Sequence, residues 1–327
     1  MEHALKQFPN GLPTLEEIRA RNKDSDIPSD AAWIWGKEDD LGRLNLLTPE
    51  RIFKAKQNEI LSGEVVSLNW ALNLPEKPLF GRTPCTHRFQ QHEFSPVVYD
   101  DWIDMNVQCG SQWDGFRHFG IQSHVCFYNG LKHDQFESST RGGMQAFSDH
   151  GIVGRGVLLD YYSWKTKKGE PYDPFTSHAI HVDELLAVAK DQNVTFEQGD
   201  ILLVRSGYTD AYYKNRTENP EKLDMIEIET VTLAGLARTE EMKTWLHDSY
   251  FSAVAGDSPT CEVWPFEEWA LHEYILGCWG IPIGEFFDLE ALSKKCEERK
   301  KWTFLFASTP FNSPGGVASL ANAITIL

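Results

Sequence analysis

The sequence predicts an α/β fold, built as one domain with a helical extension at its N-terminus, and two observations lead to this prediction. Residues 151–290 alternate short apolar, strand-like segments with amphipathic helical ones, as a sheet covered by helices requires. The 327 residues are 41% hydrophobic and contain no internal repeat, which suits one large core. We expect an N-terminal arm over residues 1–30 and the α/β domain over residues 31–327.

Local signals define the elements in the first half of the chain. Thr48 and Pro49 predict the start of a helix, because threonine caps helices well and proline is favoured at the first helical position. Alternating apolar residues predict a strand over 65–72. A second strand is expected over 95–108, leading directly into a glycine-bearing loop that begins at Gln108.

The second half of the chain supplies the alternation of strands and helices. In chain order we expect a strand over 151–162, a helix over 181–193, a strand over 199–207, a helix over 239–249 and a strand over 250–259. Residues 214–230 are polar and are predicted to lie on the surface. A helix that carries His272 follows, then a break at Gly280 and Pro282, then a strand-like step that places Glu285.

Charge and motif content argue against several classes of function. The chain has 31 Lys and Arg against 48 Asp and Glu, and the resulting net charge of −17 disfavours nucleic acid and anionic membranes as partners. The polar N-terminus has no signal-peptide core and no apolar run approaches about 18 residues, so we expect a cytoplasmic protein. The six cysteines form no CxxC pair and are expected to be reduced. Segments of the form GxSxG, HExxH and GxxxxGK[ST] are missing, which argues against a serine hydrolase and a nucleotide cofactor.

The segment from Gln108 to Gly120 concentrates residues that can do chemistry. Its sequence, QCGSQWDGFRHFG, places Gln108, Gln112, Asp114 and His118 within eleven residues, among glycines that allow close approach to a ligand. Carboxylate and imidazole groups bind divalent metals or transfer protons near neutral pH. The alternative is a polar turn in which Asp114 caps a helix and His118 is hydrogen-bonded in the core.

The same segment resembles the hallmark of the cyclase, or kynurenine formamidase-like, superfamily. That hallmark is His-x-Gly-Thr-His-x-Asp-x-Pro-x-His, and QCGSQWDGFRH fits its spacing without a gap. Other similar segments are WGKEDDLGRLNLLTPE, QGDILLVRSG, AGDSPTCE, GIPIGEFFDLEAL and SPGGVAS, so the resemblance covers about residues 30–327. The resemblance implies a swivelling β/β/α fold and assembly as a homodimer or homotetramer. The superfamily includes isatin hydrolase, trans-dienelactone hydrolase and bacterial kynurenine formamidase.

The resemblance also implies roles for individual residues. Asp114 corresponds to the family's metal-binding aspartate, and His118 to a histidine that acts as an acid and a base beside it. His272 and Glu285 are similar to the later histidine and glutamate, which complete the metal site and position the attacking water. These four residues are therefore the predicted catalytic residues.

Three positions depart from the family pattern. Gln108 and Gln112 stand where the first two histidine ligands are found, and Phe116 stands in place of the proline. A glutamine amide offers a neutral carbonyl oxygen, which is a poorer zinc ligand than an imidazole nitrogen. The predicted metal ligands are Gln108, Gln112, Asp114, His272 and Glu285. This set suits Mn²⁺ or Mg²⁺ better than Zn²⁺, and the absence of any ion stays an open alternative.

Aromatic residues around the segment indicate the character of the substrate. The predicted substrate-binding residues are Trp113, Phe116, Phe119 and Tyr128. They would give an apolar wall that fits a small cyclic or aromatic carbonyl compound, and the alternative for each is core packing. We predict a hydrolase of a C–N (amide or imide) or lactone bond, assisted by a weakly held divalent metal. Two alternatives stay open: a metal-independent cyclase, dehydratase or isomerase that uses the same acidic and histidine groups, and a ligand-binding protein without turnover.

Overall fold

The computed structural model describes residues 1–8, 11–224, 230–266 and 268–327. Within these ranges the strands are β1 (Val65–Ser67), β2 (Thr86–Gln91), β3 (Tyr99–Asp104), β4 (Gln112–Asp114), β5 (Ile152–Leu159), β6 (Ala179–Ile180), β7 (Ile201–Val204), β8 (Gly235–Leu236), β9 (Ala253–Gly256), β10 (Ile283–Glu285), β11 (Thr303–Ser308), β12 (Ala318–Leu320) and β13 (Ala323–Ile326). The helices are α1 (Glu2–Gln7), α2 (Leu15–Asn22), α3 (Pro49–Glu59), α4 (Met144–His150), α5 (Tyr161–Lys167), α6 (Val182–Asp191), α7 (Tyr208–Glu218), α8 (Pro220–Asp224), α9 (Glu240–Asp248) and α10 (Glu290–Arg299). A π-helical turn spans Glu273–Cys278, and short 3₁₀ turns span Gly42–Leu46, Gln122–His124, Tyr128–Gly130 and His133–Gln135.

A mixed sheet of nine strands forms the centre of the molecule. Its strand order is β1-β13-β11-β5-β7-β9-β10-β4-β12. The four strands β5, β7, β9 and β10 are parallel, and the pairs on either side of them are antiparallel. Helices α3 and α6 both pack on β5. The predicted α/β class is confirmed, and the parallel strands are those that the sequence alternates with helices.

The inner strands are built from sequences that can be buried on both faces. Strand β7 reads ILLV, and all four of its side chains are buried, which is typical of a parallel strand covered by helices. In β5, Gly156 leaves room for its neighbour on β11, because a Cβ at this position would lie 2.3 Å from Phe304 Cε2. The Phe304 ring therefore packs over Gly156 and fills the space that a side chain at this position would occupy.

The start of α3 confirms the helix signal read from Thr48 and Pro49. The Thr48 hydroxyl accepts a hydrogen bond from the backbone N–H of Arg51 at 3.4 Å, and Pro49 is the first helical residue. Helices α6 and α9 also form where the sequence places them. Strand β1 is shorter than the predicted 65–72 and ends at Ser67.

The prediction for residues 95–108 is wrong in one respect. Strand β3 pairs with β2 in an isolated antiparallel hairpin and ends at Asp104, before the central segment begins. Nor is that segment a loop throughout, because Gln112–Asp114 form β4, a buried strand of the main sheet. The strand-like character of 95–108 was correct for Tyr99–Asp104 but carried no information about the partner strand.

The N-terminal arm packs on the body of the protein. Leu15 and Ile18 of α2 are fully buried and join the main hydrophobic core, and the backbone N–H of Leu15 donates to Asp248 at 2.8 Å. The domain boundary at residue 30 stays a prediction. Of the polar region 214–230, the structure describes α7 and α8 as far as Asp224, and the positions 225–229 lie outside the described residues. None of the described helices combines the length and apolar character needed to cross a bilayer.

Candidate active site

Two neighbouring strands bring the predicted site residues together. Strands β4 and β10 run antiparallel, with Gln112 opposite Glu285 and Asp114 opposite Ile283. Side chains alternate across a strand, so Gln112, Asp114 and Glu285 point to the same face of the sheet. His272 reaches this face from the residue that precedes the π-helical turn.

Four of the predicted residues form one cluster. Asp114 Oδ2 lies 3.7 Å from His272 Nε2 and 3.9 Å from His118 Nε2. Glu285 Oε1 lies 3.2 Å from the same His272 nitrogen. Asp114 is fully buried, and its Oδ2 atom has no hydrogen-bond partner. The structure thus joins residues that are separated by more than 150 positions in the chain.

The two glutamines contact the carboxylates through their amide nitrogens. Gln108 Nε2 donates to Asp114 Oδ1 at 2.5 Å, and Gln112 Nε2 donates to Glu285 Oε2 at 2.8 Å. Gln112 Nε2 also donates to Gln108 Oε1 at 2.6 Å. This orientation makes both amides hydrogen-bond donors to the carboxylates, and their role as metal ligands stays a prediction.

Glu262 is a site residue that the sequence did not identify. Its Oε2 accepts a hydrogen bond from His272 Nδ1 at 2.7 Å, and the carboxylate is buried. A carboxylate on one ring nitrogen fixes the orientation of the imidazole and directs the other nitrogen toward the site. The segment AGDSPTCE, which ends at Glu262, was noticed only as a family-like stretch.

Burial and neighbouring charges set the protonation of the cluster. Burial opposes ionisation of Asp114, but the neighbouring His118 and His272 imidazoles and the hydrogen bond from Gln108 outweigh it and lower the pKa of Asp114. Burial and the Asp114 charge raise the pKa of Glu285 to about 7. Burial lowers the pKa of His118, whereas for His272 the carboxylates outweigh burial and raise the pKa well above its usual value. Near neutral pH the cluster therefore contains a charged Asp114–His272 pair, a neutral His118 and a Glu285 that is close to its titration point.

A cavity of about 260 Å³ opens beside this cluster. Its lining is Phe80, Arg82, His118, Phe119, Pro259, Thr260, Glu262, Trp264, Phe266, Ala270, His272 and Glu285. Six of these residues are apolar, four of them aromatic, and the other six are polar or charged. Such a combination of apolar surface and polar groups is typical of small-molecule sites. Phe119 is the predicted substrate-binding residue that reaches it.

The other three predicted substrate-binding residues lie elsewhere. Trp113, Phe116 and Tyr128 are buried in the core, and the described cavity lining does not include them. Trp113 points to the sheet face opposite Asp114 because side chains alternate along β4, and its indole N–H donates to Ser308 at 2.9 Å. For these three positions the expectation is corrected to core packing.

Arg82 is a second site residue that the sequence did not identify. Its Nη1 donates to the backbone carbonyl of Gln108 at 2.8 Å, and its side chain lines the cavity. Among the described residues it has no ion-pair partner, so its remaining N–H groups are available to a ligand. It lies in a proline-rich stretch without periodicity, which is why no sequence signal pointed to it.

The donor set is compatible with one divalent ion. The ligand atoms of Asp114, His118 and His272 lie within 4.8 Å of one another. Asp114 Oδ2 is buried without a partner, and His272 has the carboxylate support on Nδ1 that metal-binding histidines usually have. A cation bound here would be held in place of the proton on His272 Nε2. The donors of this set are one carboxylate oxygen and two imidazole nitrogens.

Comparisons with known proteins agree with this architecture. A family model described as Putative cyclase matches residues 66–263. A solved structure described as a novel cyclase is 26% identical and covers 90% of this chain and 98% of its own, with a TM-score of 0.79. A search of curated proteins found no match.

Two isatin hydrolases share the fold at lower identity. Isatin hydrolase A from Labrenzia aggregata, bound to benzyl benzoate, is 14% identical and covers 80% of this chain and 93% of its own, with a TM-score of 0.56. Isatin hydrolase A from Ralstonia solanacearum is 15% identical and covers 80% and 91%, with a TM-score of 0.53. The family model spans more than half of the sequence, and the mixed α/β sheet matches the fold of these proteins. The chain therefore belongs to the cyclase family, as the resemblance in its sequence implied.

Proposed function

We propose that this protein is a hydrolase that opens a C–N bond (amide or imide) or a lactone bond in a small cyclic or aromatic substrate, with the help of a weakly held divalent metal. One observation carries the proposal. The buried, unpartnered Asp114 Oδ2 faces the Nε2 atoms of His118 and His272 beside an aromatic cavity. Membership in the cyclase family supports an enzyme, and the isatin hydrolases supply an analogy for the class of substrate.

We take Asp114, His272 and Glu285 as the residues that would hold the ion, because His272 Nε2 lies 3.7 Å from Asp114 Oδ2 and 3.2 Å from Glu285 Oε1. This choice leaves His118 free to transfer protons. A bound divalent ion supplies Lewis acidity for a carbonyl group and lowers the pKa of water. Glu262 keeps the His272 ring oriented, and Gln108 and Gln112 hold the carboxylates by their second oxygens.

His118 is the group that moves protons. Its pKa is lowered by burial, so near neutral pH the ring is neutral and can accept a proton from the attacking water. The water oxygen bonds to the carbonyl carbon, the C–N or C–O bond breaks, and His118 returns the proton to the leaving nitrogen or oxygen. The side chain is partly exposed to the cavity, which gives it access to both water and substrate.

The aromatic wall and Arg82 orient the substrate. Phe80, Phe119 and Trp264 offer flat apolar surfaces for a ring, and Arg82 offers N–H donors for a carbonyl or carboxylate oxygen. The apolar wall also limits bulk water near the cluster, and this strengthens the electrostatic interactions of the cluster residues.

The test is metal removal combined with a substrate panel. Purified protein is stripped with a chelator, reloaded with Mn²⁺, Zn²⁺ or Mg²⁺, and assayed on cyclic imides, aryl-fused lactams and aryl lactones by the absorbance change on ring opening. We expect turnover to disappear on stripping, to return with one of the ions, and to fall at least 100-fold in Asp114→Asn. Full activity after stripping contradicts the metal, and no turnover on any member of the panel contradicts the reaction.

The second candidate is a metal-independent cyclase, dehydratase or isomerase. It is favoured by the amides of Gln108 and Gln112, which donate hydrogen bonds to Asp114 and Glu285 through their nitrogens and do not offer these carboxylates' neighbours an imidazole ligand. For this candidate, changing both glutamines to histidine creates zinc binding but does not raise native turnover. A rise in native turnover in that double variant contradicts it and favours the metal-dependent hydrolase.

A further inference from the structure

Two residues beside the candidate site have a left-handed backbone, although neither is a glycine. Cys261, with a φ of 53°, directly precedes Glu262, and Phe286, with a φ of 55°, directly follows Glu285. This conformation is unusual for a bulky residue, and residues strained in this way cluster at functional sites, where the surrounding contacts hold them. The two neighbouring carboxylates contact opposite nitrogens of the His272 ring. The contacts that hold these two turns therefore bear on how the ring is placed.

The first turn, at Cys261, is held by Thr260. The Thr260 carbonyl accepts a hydrogen bond from the Glu262 N–H, which closes a three-residue turn, and the Thr260 hydroxyl donates to the Glu262 carbonyl at 2.9 Å. A three-residue turn with a positive φ at its centre is rare and strained. Thr260 and Glu262 are both buried, so loss of the hydroxyl would leave a buried carbonyl without its donor.

Strand β8 packs tightly against the same turn. A Cβ on Gly235 would lie 2.6 Å from the Glu262 carbonyl oxygen and 2.7 Å from the Cys261 carbonyl oxygen, so the two backbones are in close contact. The Leu236 N–H donates to the Cys261 carbonyl at 2.9 Å. The turn is thus fixed by β8 on one side and by the Thr260 hydroxyl on the other.

The second turn, at Phe286, is held by Ser111, the residue before β4. The Ser111 hydroxyl donates to the Phe286 carbonyl at 2.6 Å and accepts from the Trp70 N–H at 2.6 Å. All three residues are buried, and the Trp70 and Phe286 rings stack with their centroids 6.1 Å apart. Loss of this hydroxyl would leave a buried carbonyl and a buried N–H without their partner, which is costly in a protein interior.

We propose that Thr260 and Ser111 are positioning residues, whose hydroxyls hold the two strained turns that place Glu262 and Glu285 on opposite nitrogens of His272. Each hydroxyl acts through the turn that it holds, so loss of one should displace one carboxylate and leave the other in place. The value of this arrangement for catalysis rests on the proposed function, in which His272 binds the metal. The placement of the two carboxylates does not.

Nuclear magnetic resonance of the chelator-treated protein, labelled with ¹⁵N in its histidines, tests the proposal. The His272 Nδ1 and Nε2 resonances are read through the carbon-bound ring protons and are assigned by their loss in His272→Gln. Thr260→Val keeps the shape of the side chain but removes the hydroxyl, and we expect it to shift the Nδ1 resonance and leave Nε2 within its line width. We expect Ser111→Ala to shift Nε2 and leave Nδ1 in place.

Two variants serve as controls. Thr260→Ser keeps the hydroxyl and should keep both wild-type resonances. Ser252→Ala should also keep them, because it removes a buried hydroxyl that donates to the Gly199 carbonyl at 2.9 Å at the start of β9. Folded Thr260→Val and Ser111→Ala variants with both resonances at their wild-type positions overturn the proposal, as does a shift of both resonances in Ser252→Ala. The spectra need neither metal nor substrate, so a failure of the proposed function does not affect them.

The double variant Thr260→Val with Cys261→Gly covers the case in which Thr260→Val alone does not fold. Glycine adopts a positive φ without strain, so the turn no longer depends on the hydroxyl. We expect this variant to fold and to show the wild-type Nδ1 resonance. A folded double variant with a displaced Nδ1 resonance overturns the proposal.

Discussion

Replacing Glu262 by glutamine tests whether the orientation of His272 controls the candidate site. The Glu262 carboxylate accepts a 2.7 Å hydrogen bond from His272 Nδ1 in a buried environment. Hydrogen bonds to charged groups contribute about 1.5–3 kcal/mol, and each 1.4 kcal/mol is a factor of ten in an equilibrium constant. Because the amide still fits the space but is neutral, we expect the affinity for Mn²⁺ or Zn²⁺ to fall about 10- to 100-fold, the range found for such outer carboxylates.

The assay is a competition between the stripped protein and a chelating dye at pH 7.5. Glu273→Gln is the matched control, since Glu273 follows His272 in the chain but interacts with the backbone of Gln122. Circular dichroism establishes that both variants fold. A metal affinity of Glu262→Gln within three-fold of the wild type, with the control unchanged, would refute the orienting role.

Three further predictions concern binding, pH and packing. We expect Arg82→Gln to lower kcat/KM on the best substrate of the panel about 10- to 100-fold with little effect on metal affinity, because a charged donor to the substrate is lost. An equal loss with Arg82→Lys would show that Arg82 acts through packing and not through its charge. Burial lowers the pKa of His247 to about 4, below the value of about 6.5 in the unfolded chain. Protonation of His247 therefore favours the unfolded state, and the protein loses stability as the pH falls from about 6.5 through 4. In urea unfolding between pH 7 and 4, the wild-type free energy of unfolding should fall by up to about 3 kcal/mol more than that of His247→Gln, and parallel pH profiles would contradict this. Gly284→Ala should destabilise the protein by about 1–3 kcal/mol, since its Cβ would lie 2.6 Å from Ala255 Cβ, and an unchanged urea midpoint would show that the strands can separate.

The sequence was sufficient to predict the helices and strands that have a clear local signal. The Thr48-Pro49 helix start, the apolar β7 and the amphipathic α9 form as predicted, because capping, burial and amphipathic period act within a few residues. The cluster of Asp114 with His272 was implied by a resemblance, since no local pattern reports that two segments 158 positions apart lie side by side.

The errors arose for residues whose position depends on how the strands pair in the sheet. Trp113 was placed in the site because it neighbours Asp114 in the chain, but β4 is a strand, so adjacent residues face opposite sides of the sheet. Had the segment been a loop, as predicted, adjacent side chains could have shared the cavity. Glu262 and Arg82 were missed because they lie outside the central segment, 10 and 26 positions from His272 and Gln108, and no periodic pattern indicates that they contact these residues.

Gln108 and Gln112 each bind one carboxylate of the cluster and leave its second oxygen free for a ligand. Asp114 Oδ1 accepts a hydrogen bond from Gln108, and Asp114 Oδ2 faces the His272 imidazole. In the same way, Glu285 Oε2 accepts a hydrogen bond from Gln112, and Glu285 Oε1 faces the imidazole. The link from Gln112 Nε2 to Gln108 Oε1 fixes both amides in the orientation that donates. A neutral donor on one oxygen holds a buried carboxylate in place without neutralising it, so its charge is still available to a proton or a cation. In this arrangement the two glutamines orient the carboxylates, and the oxygen atoms left free are those around His272 Nε2.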